Sequence, residues 1–237
     1  GLAEGPRRDL TMHLTLHLTT ACNMRCGYCY SPPGDGPAMG LATGRNALLF
    51  GSRLSSDSCG VVFFGGEPLL HKGLIRDVVA FGRELEGAEH GRFHFKTTTN
   101  GVLLDEEFLD FSLREDVLIA MSFDGVPEAQ DRHRRLRDGS ASFDFLLPRL
   151  RMLLAARPYS AVISVVNPDT AAFLSQSVSF LLDQGCRYLI VSPNYAAPWD
   201  RRSLGVLKEQ LGELGELYVK WTEAGRKFYL SPFEVKI

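Results

Sequence analysis

The stretch "MHLTLHLTTACNMRCGYCY", Met12–Tyr30, begins as one kind of structure and ends as another. Met12–Thr19 alternates Leu14, Leu16 and Leu18 with His13, Thr15 and His17, the period of two that marks a β-strand. Directly behind it come Cys22, Cys26 and Cys29, three of the chain's five cysteines within eight residues. Thiols this close make poor disulfide partners for one another. The spacing C-x3-C-x2-C suits a [4Fe–4S] cube, whose irons ordinarily take four thiolates. Cys59 and Cys186 each precede a later strand and are expected at the opposite end of the sheet, so one iron is left to a ligand from outside the chain. Three other readings stand beside this one: a zinc site completed by His13 or His17, a ferredoxin-like carrier, and chance clustering. The two histidines are expected to line the inner face of the sheet.

Beyond this strand the pattern repeats. Val61–Gly66, Phe93–Asn100, Val117–Gly125, Ala161–Asn167 and Tyr188–Asn194 are rich in β-branched and aromatic residues and end in turn formers. Helical periods fall around Arg45–Leu54, Lys72–Glu86, Asp105–Leu113, Phe145–Ala156 and Ala171–Gln184. A last helix, Leu204–Trp221, sets Leu207, Leu211, Leu214, Tyr218 and Trp221 on one face. Six β-then-α units predict an α/β fold with parallel strands and helices outside. Six units fall short of the eight of a closed TIM barrel, which leaves a partial barrel or an open doubly wound sheet. Residues 1–11 read as an N-terminal segment, 12–200 as the barrel, and 201–237 as a C-terminal helix and tail. Function in such folds gathers at the carboxyl ends of the strands. Here those ends read "TTACNMRC", "GGEP", "TTNG", "SFDG", "VVNPD" and "VSPN".

The bulk composition excludes several classes. With 45% hydrophobic and 23% charged residues and a net charge of −2, neither nucleic acid nor membrane is implied as the main partner. No membrane span and no signal segment is expected, and clustered cysteines without a disulfide framework point to a reducing cytoplasm.

"CNMRCGYCY" resembles the C-x3-C-x-Φ-C signature of radical S-adenosylmethionine (SAM) enzymes, with Tyr28 in the aromatic position. "FFGGEPLL" resembles that family's GGEP motif at Gly65, Gly66, Glu67 and Pro68. The resemblance implies a partial (β/α)6 barrel and a cluster on Cys22, Cys26 and Cys29 whose open iron is chelated by SAM. It also implies reductive cleavage of SAM to a 5′-deoxyadenosyl radical, and a low-potential flavodoxin or ferredoxin as electron donor. Gly65 and Gly66 would then let backbone approach a ligand closely, with Glu67 adding negative charge near the SAM ammonium. "MSFDG" is similar to the family's S-x-D-G and places Ser122 and Asp124 toward the ribose or the methionyl carboxylate. Asp131, His133 and Arg134 within "DRHRRLRDG" match a D-x-H-R stretch of peptide-modifying members; Arg134 is expected to pair with the SAM carboxylate, and the other arginines to be solvated. Thr98 and Asn100 of "TTTNG", and backbone groups near Val191, complete the expected SAM contacts. "AMGLATGRNALLF" resembles the subgroup acting on peptides and proteins. Most of that subgroup carries a cysteine-rich C-terminal extension, SPASM or twitch, holding auxiliary clusters; no cysteine follows Cys186, so the extension is expected to be absent from this chain. A small-molecule substrate, or a non-catalytic cluster- or SAM-binding regulator, is the alternative.

Overall fold

The computed structural model describes residues 12–31, 36–55, 57–87, 91–231 and 233–234. The expected N-terminal segment 1–11, residues 32–35 of the glycine- and proline-rich loop and the end of the tail lie outside the described residues. In chain order the elements are β1 (Met12–Thr19), β2 (Met24–Cys26), α1 (Leu41–Leu54), β3 (Ser58–Gly65), a 3₁₀ turn (Pro68–His71), α2 (Lys72–Gly87), β4 (Arg92–Thr99) and α3 (Glu106–Arg114). There follow β5 (Leu118–Ser122), α4 (Pro127–His133), β6 (Arg134–Leu136), α5 (Phe143–Ala156), β7 (Ala161–Val166), a 3₁₀ turn (Ala171–Phe173), α6 (Leu174–Asp183), β8 (Tyr188–Pro193), α7 (Arg201–Glu223) and β9 (Tyr229–Leu230).

Seven strands make one sheet in the order β1-β3-β4-β5-β7-β8-β9, while β2 and β6 pair in a separate ribbon. A doubly wound sheet reverses its order at a switch point. This order follows the sequence without reversal, the progression of a barrel wall, and it removes the open doubly wound alternative. All six expected β/α units are present. The sequence pattern did not announce β2, β6, β9 or the short helix α4.

The described chain divides into two compact units. The first holds β1, β3 and β4 with α1–α3. Its parallel register sets Leu14 beside Val61 and Leu16 beside Phe63, and Val61 beside Phe95 and Phe63 beside Thr97. On that face Leu16, Leu18, Val61, Phe63, Phe93 and Phe95 are buried together with Leu48 of α1 and Ile75, Val78 and Val79 of α2. The rings of Phe63 and Phe95 stack at 5.8 Å. Helix and strand come close because Gly82 has no side chain: a Cβ there would lie 2.5 Å from the Phe95 ring. The alternate residues His13, Thr15, His17, Val62, Phe64, Lys96 and Thr98 form the other face, exposed or half-buried. This is the face expected for the two histidines, and His17 meets the ring of Phe64 edge-on at 5.6 Å.

The second unit holds β7–β9 and α4–α7. Val162, Val166, Leu189 and Val191 are buried with Leu146, Leu150 and Leu153 of α5 and Val178 and Leu181 of α6. Asp200 and Ser203 form a capping box that starts α7. Of the apolar face expected on α7 only Leu214 is fully buried, and Gln210 accepts from the Ser175 backbone and hydroxyl at the start of α6.

The face assignment makes a paired prediction. Phe63→Ala removes a fully buried, stacked ring and should cost about 3–5 kcal/mol in urea unfolding. Phe64→Ala, one residue along on the half-buried face, should cost less than half of that.

Candidate functional site

In the first unit, the end of β3 is stitched to the segment that leads from β1 toward Cys22. Gly66 donates its N–H to the Thr19 carbonyl at 2.8 Å, and Glu67 donates its N–H to the Ala21 carbonyl at 2.9 Å. Gly65 has φ +128°, in the left-handed region that favours glycine. A Cβ on Gly65 would lie 2.4 Å from the Thr19 oxygen, and one on Gly66 2.1 Å from the Ala21 oxygen. The approach that excludes a side chain here is that of protein backbone. Glu67 is 0% exposed. Its Oε1 accepts from Leu69 N at 2.9 Å, capping the 3₁₀ turn that Pro68 opens, and from the Thr99 hydroxyl at 2.7 Å. Thr98 lies on the half-buried face of β4, opposite in direction to Thr99.

In the second unit, the loop after Cys22 is held by a strand drawn from the arginine-rich stretch, in which Arg134 alone was expected at the site. β2 pairs antiparallel with β6, setting Met24 against Leu136, Arg25 against Arg135 and Cys26 against Arg134. Gly27 N donates to the His133 carbonyl at 2.8 Å, and Cys29 N returns to the Cys26 carbonyl at 3.1 Å. Asp131 anchors the far side, accepting from Ser142 N and Phe143 N at the start of α5. The Ser142 hydroxyl donates to the Arg134 carbonyl at 2.6 Å. Nearby, Asn100 Nδ2 donates to Asn23 Oδ1 at 2.7 Å, and its own Oδ1 accepts from Val102 N.

Three of the expected residues meet in one chain of hydrogen bonds whose two ends, Arg134 and Asp124, are buried. Arg134, 4% exposed, donates from Nη1 to the Tyr28 hydroxyl at 2.9 Å. That hydroxyl donates to Asp124 Oδ2 at 2.8 Å, and Asp124 Oδ1 accepts from Val165 N at 3.0 Å. Both carboxyl oxygens accept. Burial pushes the Asp124 pKa up, and the Arg134 charge, the Val165 N–H and the Tyr28 hydroxyl oppose that rise. Burial also holds the Tyr28 phenol protonated, well above its usual range. Burial alone would depress Arg134, but Tyr28, Cys26 and Asp124 outweigh it and keep the guanidinium firmly charged. Its Nε is buried with no hydrogen-bond partner among the described residues. Gln130 ties this chain to the ribbon: its Oε1 accepts from Asp124 N, and its Nε2 donates to the Ser142 hydroxyl. Ser122 is half-buried at the end of β5. Val191 buries its side chain, and its carbonyl accepts from the Ser231 hydroxyl.

The cysteines fall into two classes. Cys22 and Cys26 are partly exposed and Cys29 is exposed, whereas Cys59 and Cys186 are buried at the amino ends of β3 and β8. Burial raises the Cys59 thiol and pushes Cys186 up to about 12. Among the described residues no three His, Cys, Asp or Glu side chains converge on a point that one ion could occupy. A cube places each thiolate on a different iron, so its ligands need no such convergence. Gln130, Ser142, Asn23 and Thr99 were not anticipated as members of these networks. Asn23 and Thr99 are common polar residues whose partners lie far away in sequence; Gln130 and Ser142 find theirs within a dozen residues, but in no pattern that marks them.

The chain matches the Radical SAM superfamily over residues 16–172. It is 26% identical over 199 residues to the serine-type anaerobic sulfatase-maturating enzyme of Klebsiella aerogenes, covering 81% of this chain and 49% of that protein. The structure of anSMEcpe with bound AdoMet superposes with a TM-score of 0.83 at 18% identity, covering 95% of this chain and 65% of that one. Streptococcus suis SuiB bound to the precursor peptide SuiA gives a TM-score of 0.67 at 14% identity, covering 94% and 48%. These likenesses establish the partial barrel as the fold. The chain spans about half the length of the sulfatase-maturating relatives it matches.

Two outcomes follow from the buried groups. A thiol reacts through its thiolate, so raised pKa values keep Cys59 and Cys186 inert: iodoacetamide at pH 8 should label Cys22, Cys26 and Cys29 of the cluster-free protein long before those two, as read by peptide mass mapping. Tyr28→Phe leaves a buried guanidinium and a buried carboxylate without their bridge and should lower stability by about 1–3 kcal/mol in urea unfolding.

Proposed function

Because the chain belongs to the radical SAM superfamily, we propose that it is the cluster- and SAM-binding barrel of an enzyme that modifies a peptide or protein side chain. The observation that carries this reading is the C-x3-C-x2-C triad Cys22, Cys26 and Cys29, which follows the first barrel strand in sequence, with Cys26 paired to Arg134 of β6. The residues present fit the two groups. The three thiols are the exposed or partly exposed ones, and three thiolates leave one iron of a cube for an outside ligand. Arg134 keeps its charge and has a buried Nε without an acceptor, a donor suited to the SAM carboxylate. When bound, the cluster and SAM supply one-electron reductive cleavage to methionine and a 5′-deoxyadenosyl radical.

The chain's own residues set the stage for that chemistry. Cys22, Cys26 and Cys29 hold the cluster; the ribbon of β2 and β6 fixes the loop on which the last two sit. Tyr28 orients Arg134, and Asp124, bonded to Tyr28, balances its charge. Glu67 and Thr99 fix the Gly65–Pro68 turn, whose backbone serves SAM. Ser122, Thr98, Asn100 and the backbone at Val191 are assigned to the remainder of SAM. A low-potential flavodoxin or ferredoxin supplies the electron, and a reducing cytoplasm suits the exposed thiols; no helix among the described residues is long and apolar enough to cross a membrane. The peptide substrate is supported by the sulfatase-maturating relatives and by the bound peptide of SuiB.

The test is anaerobic reconstitution with iron and sulfide, followed by SAM and dithionite and an assay for 5′-deoxyadenosine. The wild-type chain should form it, and Cys26→Ala should neither hold the cluster nor form the product. Iron uptake or SAM cleavage that persists undiminished in Cys26→Ala would overturn the assignment.

A further inference from the structure

The loop that carries Cys26 and Cys29 is gripped from one side by His133. Gly27 N donates to the His133 carbonyl at 2.8 Å. Gly27 also lies beneath the imidazole: a Cβ there would come within 3.2 Å of His133 Nδ1. The His133 and Tyr28 rings pack with centroids 5.8 Å apart. The imidazole is therefore a wall of the cluster loop, and its orientation is set from outside. His133 Nε2 bonds Asp169 Oδ1 at 2.7 Å, and Arg132 Nε donates to Asp169 Oδ2 at 2.6 Å. Asp169 is itself fixed. It sits in the turn after β7, closed by Thr170 N to the Asn167 carbonyl and by Asn167 N to the Thr170 hydroxyl. His133 is the last residue of α4, and Arg134, next in sequence, pairs with Cys26.

We propose that Asp169, acting through His133, is a positioning residue for the cluster loop, a latch from the carboxyl end of β7 whose work is cluster retention. The inference rests on the reading of Cys26 and Cys29 as cluster ligands. Asp169 and His133 lie at the surface, with side chains 38% and 20% exposed, so their replacement leaves the core intact. Arg132, 62% exposed, makes the other half of the pair with Asp169 and, among the described residues, no hydrogen bond to Gly27 or Tyr28; its bridge is of the solvent-screened kind that contributes little.

The experiment uses the anaerobically reconstituted chain without SAM and follows iron removal by EDTA through the decay of cluster absorbance. Asp169→Ala and His133→Phe should lose iron about three- to fivefold faster than wild type, the span that a weak, half-exposed contact controls. Arg132→Ala should match wild type, and Asp169→Asn, which retains an acceptor for His133, should recover most of the retention. The cluster-free variants should melt at the wild-type temperature. Wild-type iron loss in both Asp169→Ala and His133→Phe would overturn the latch. So would faster loss accompanied by earlier melting of the cluster-free protein, or faster loss in Arg132→Ala alone. A wild-type chain that takes up no cluster would instead sink the functional reading on which the latch rests.

Discussion

Arg134 carries a full positive charge into the interior of the second unit, and the strand ends around it are arranged to answer that charge. An uncompensated buried ion costs several kcal/mol, so something must balance it. Asp124 does so at one remove, through the Tyr28 hydroxyl, and Asp124 is in turn bonded by the Val165 N–H. The arrangement joins the cluster loop, the ends of β5 and β7, and β6 in a single polar chain. Gln130 and Ser142 extend it to the start of α5. A charge that looks like a liability thus dictates where four segments of backbone must go.

The first unit meets a similar demand with a carboxylate. Glu67 has its side chain wholly buried, and Leu69 N and the Thr99 hydroxyl both donate to Oε1. The same turn brings Gly65 and Gly66 so close to Thr19–Ala21 that any side chain would strike a carbonyl oxygen. Backbone N–H and C=O groups at a strand end have no ladder to enter and must find partners elsewhere. Here the ends of β1 and β3 find them in each other. The rigid turn that results is what fixes the start of the segment running into Cys22.

How much of this was legible in the sequence follows from where each signal lives. The six barrel strands could be read because alternation such as Leu14, Leu16 and Leu18 against His13, Thr15 and His17 is a local record of which face is buried. The ribbon could not: β2 and β6 are three residues each, too short for a period, and β6 is written in arginines that composition assigns to solvent. The D-x-H-R resemblance singles out Arg134 from its neighbours, but not the partners that lie across from it, Cys26 and Tyr28, more than a hundred residues away. β9 is two residues long, too short to show a period. The cysteine triad and the Gly-Gly-Glu-Pro turn stand out in the sequence as motifs, but the close approach of the Thr19 and Ala21 carbonyls to the glycines does not, because that backbone belongs to another segment.

Motif residues that carry structural duties change what their mutation means. Glu67 and Asp124 each accept a backbone N–H and a side-chain hydroxyl, so removing either leaves donors stranded in the interior and moves the turn or the guanidinium that it holds. Loss of SAM turnover in such a variant follows from displaced backbone whether or not the carboxylate ever touches SAM. The cysteines are different. Cys29 is exposed and its backbone N–H closes a local turn that alanine would also make, so its thiol is dispensable to the fold. A chain that keeps three reachable thiols at C-x3-C-x2-C spacing, while placing its two other cysteines in the apolar core at the far ends of their strands, has separated packing from chemistry. That separation makes the loop, and not the polar network behind it, the place where function is read most directly.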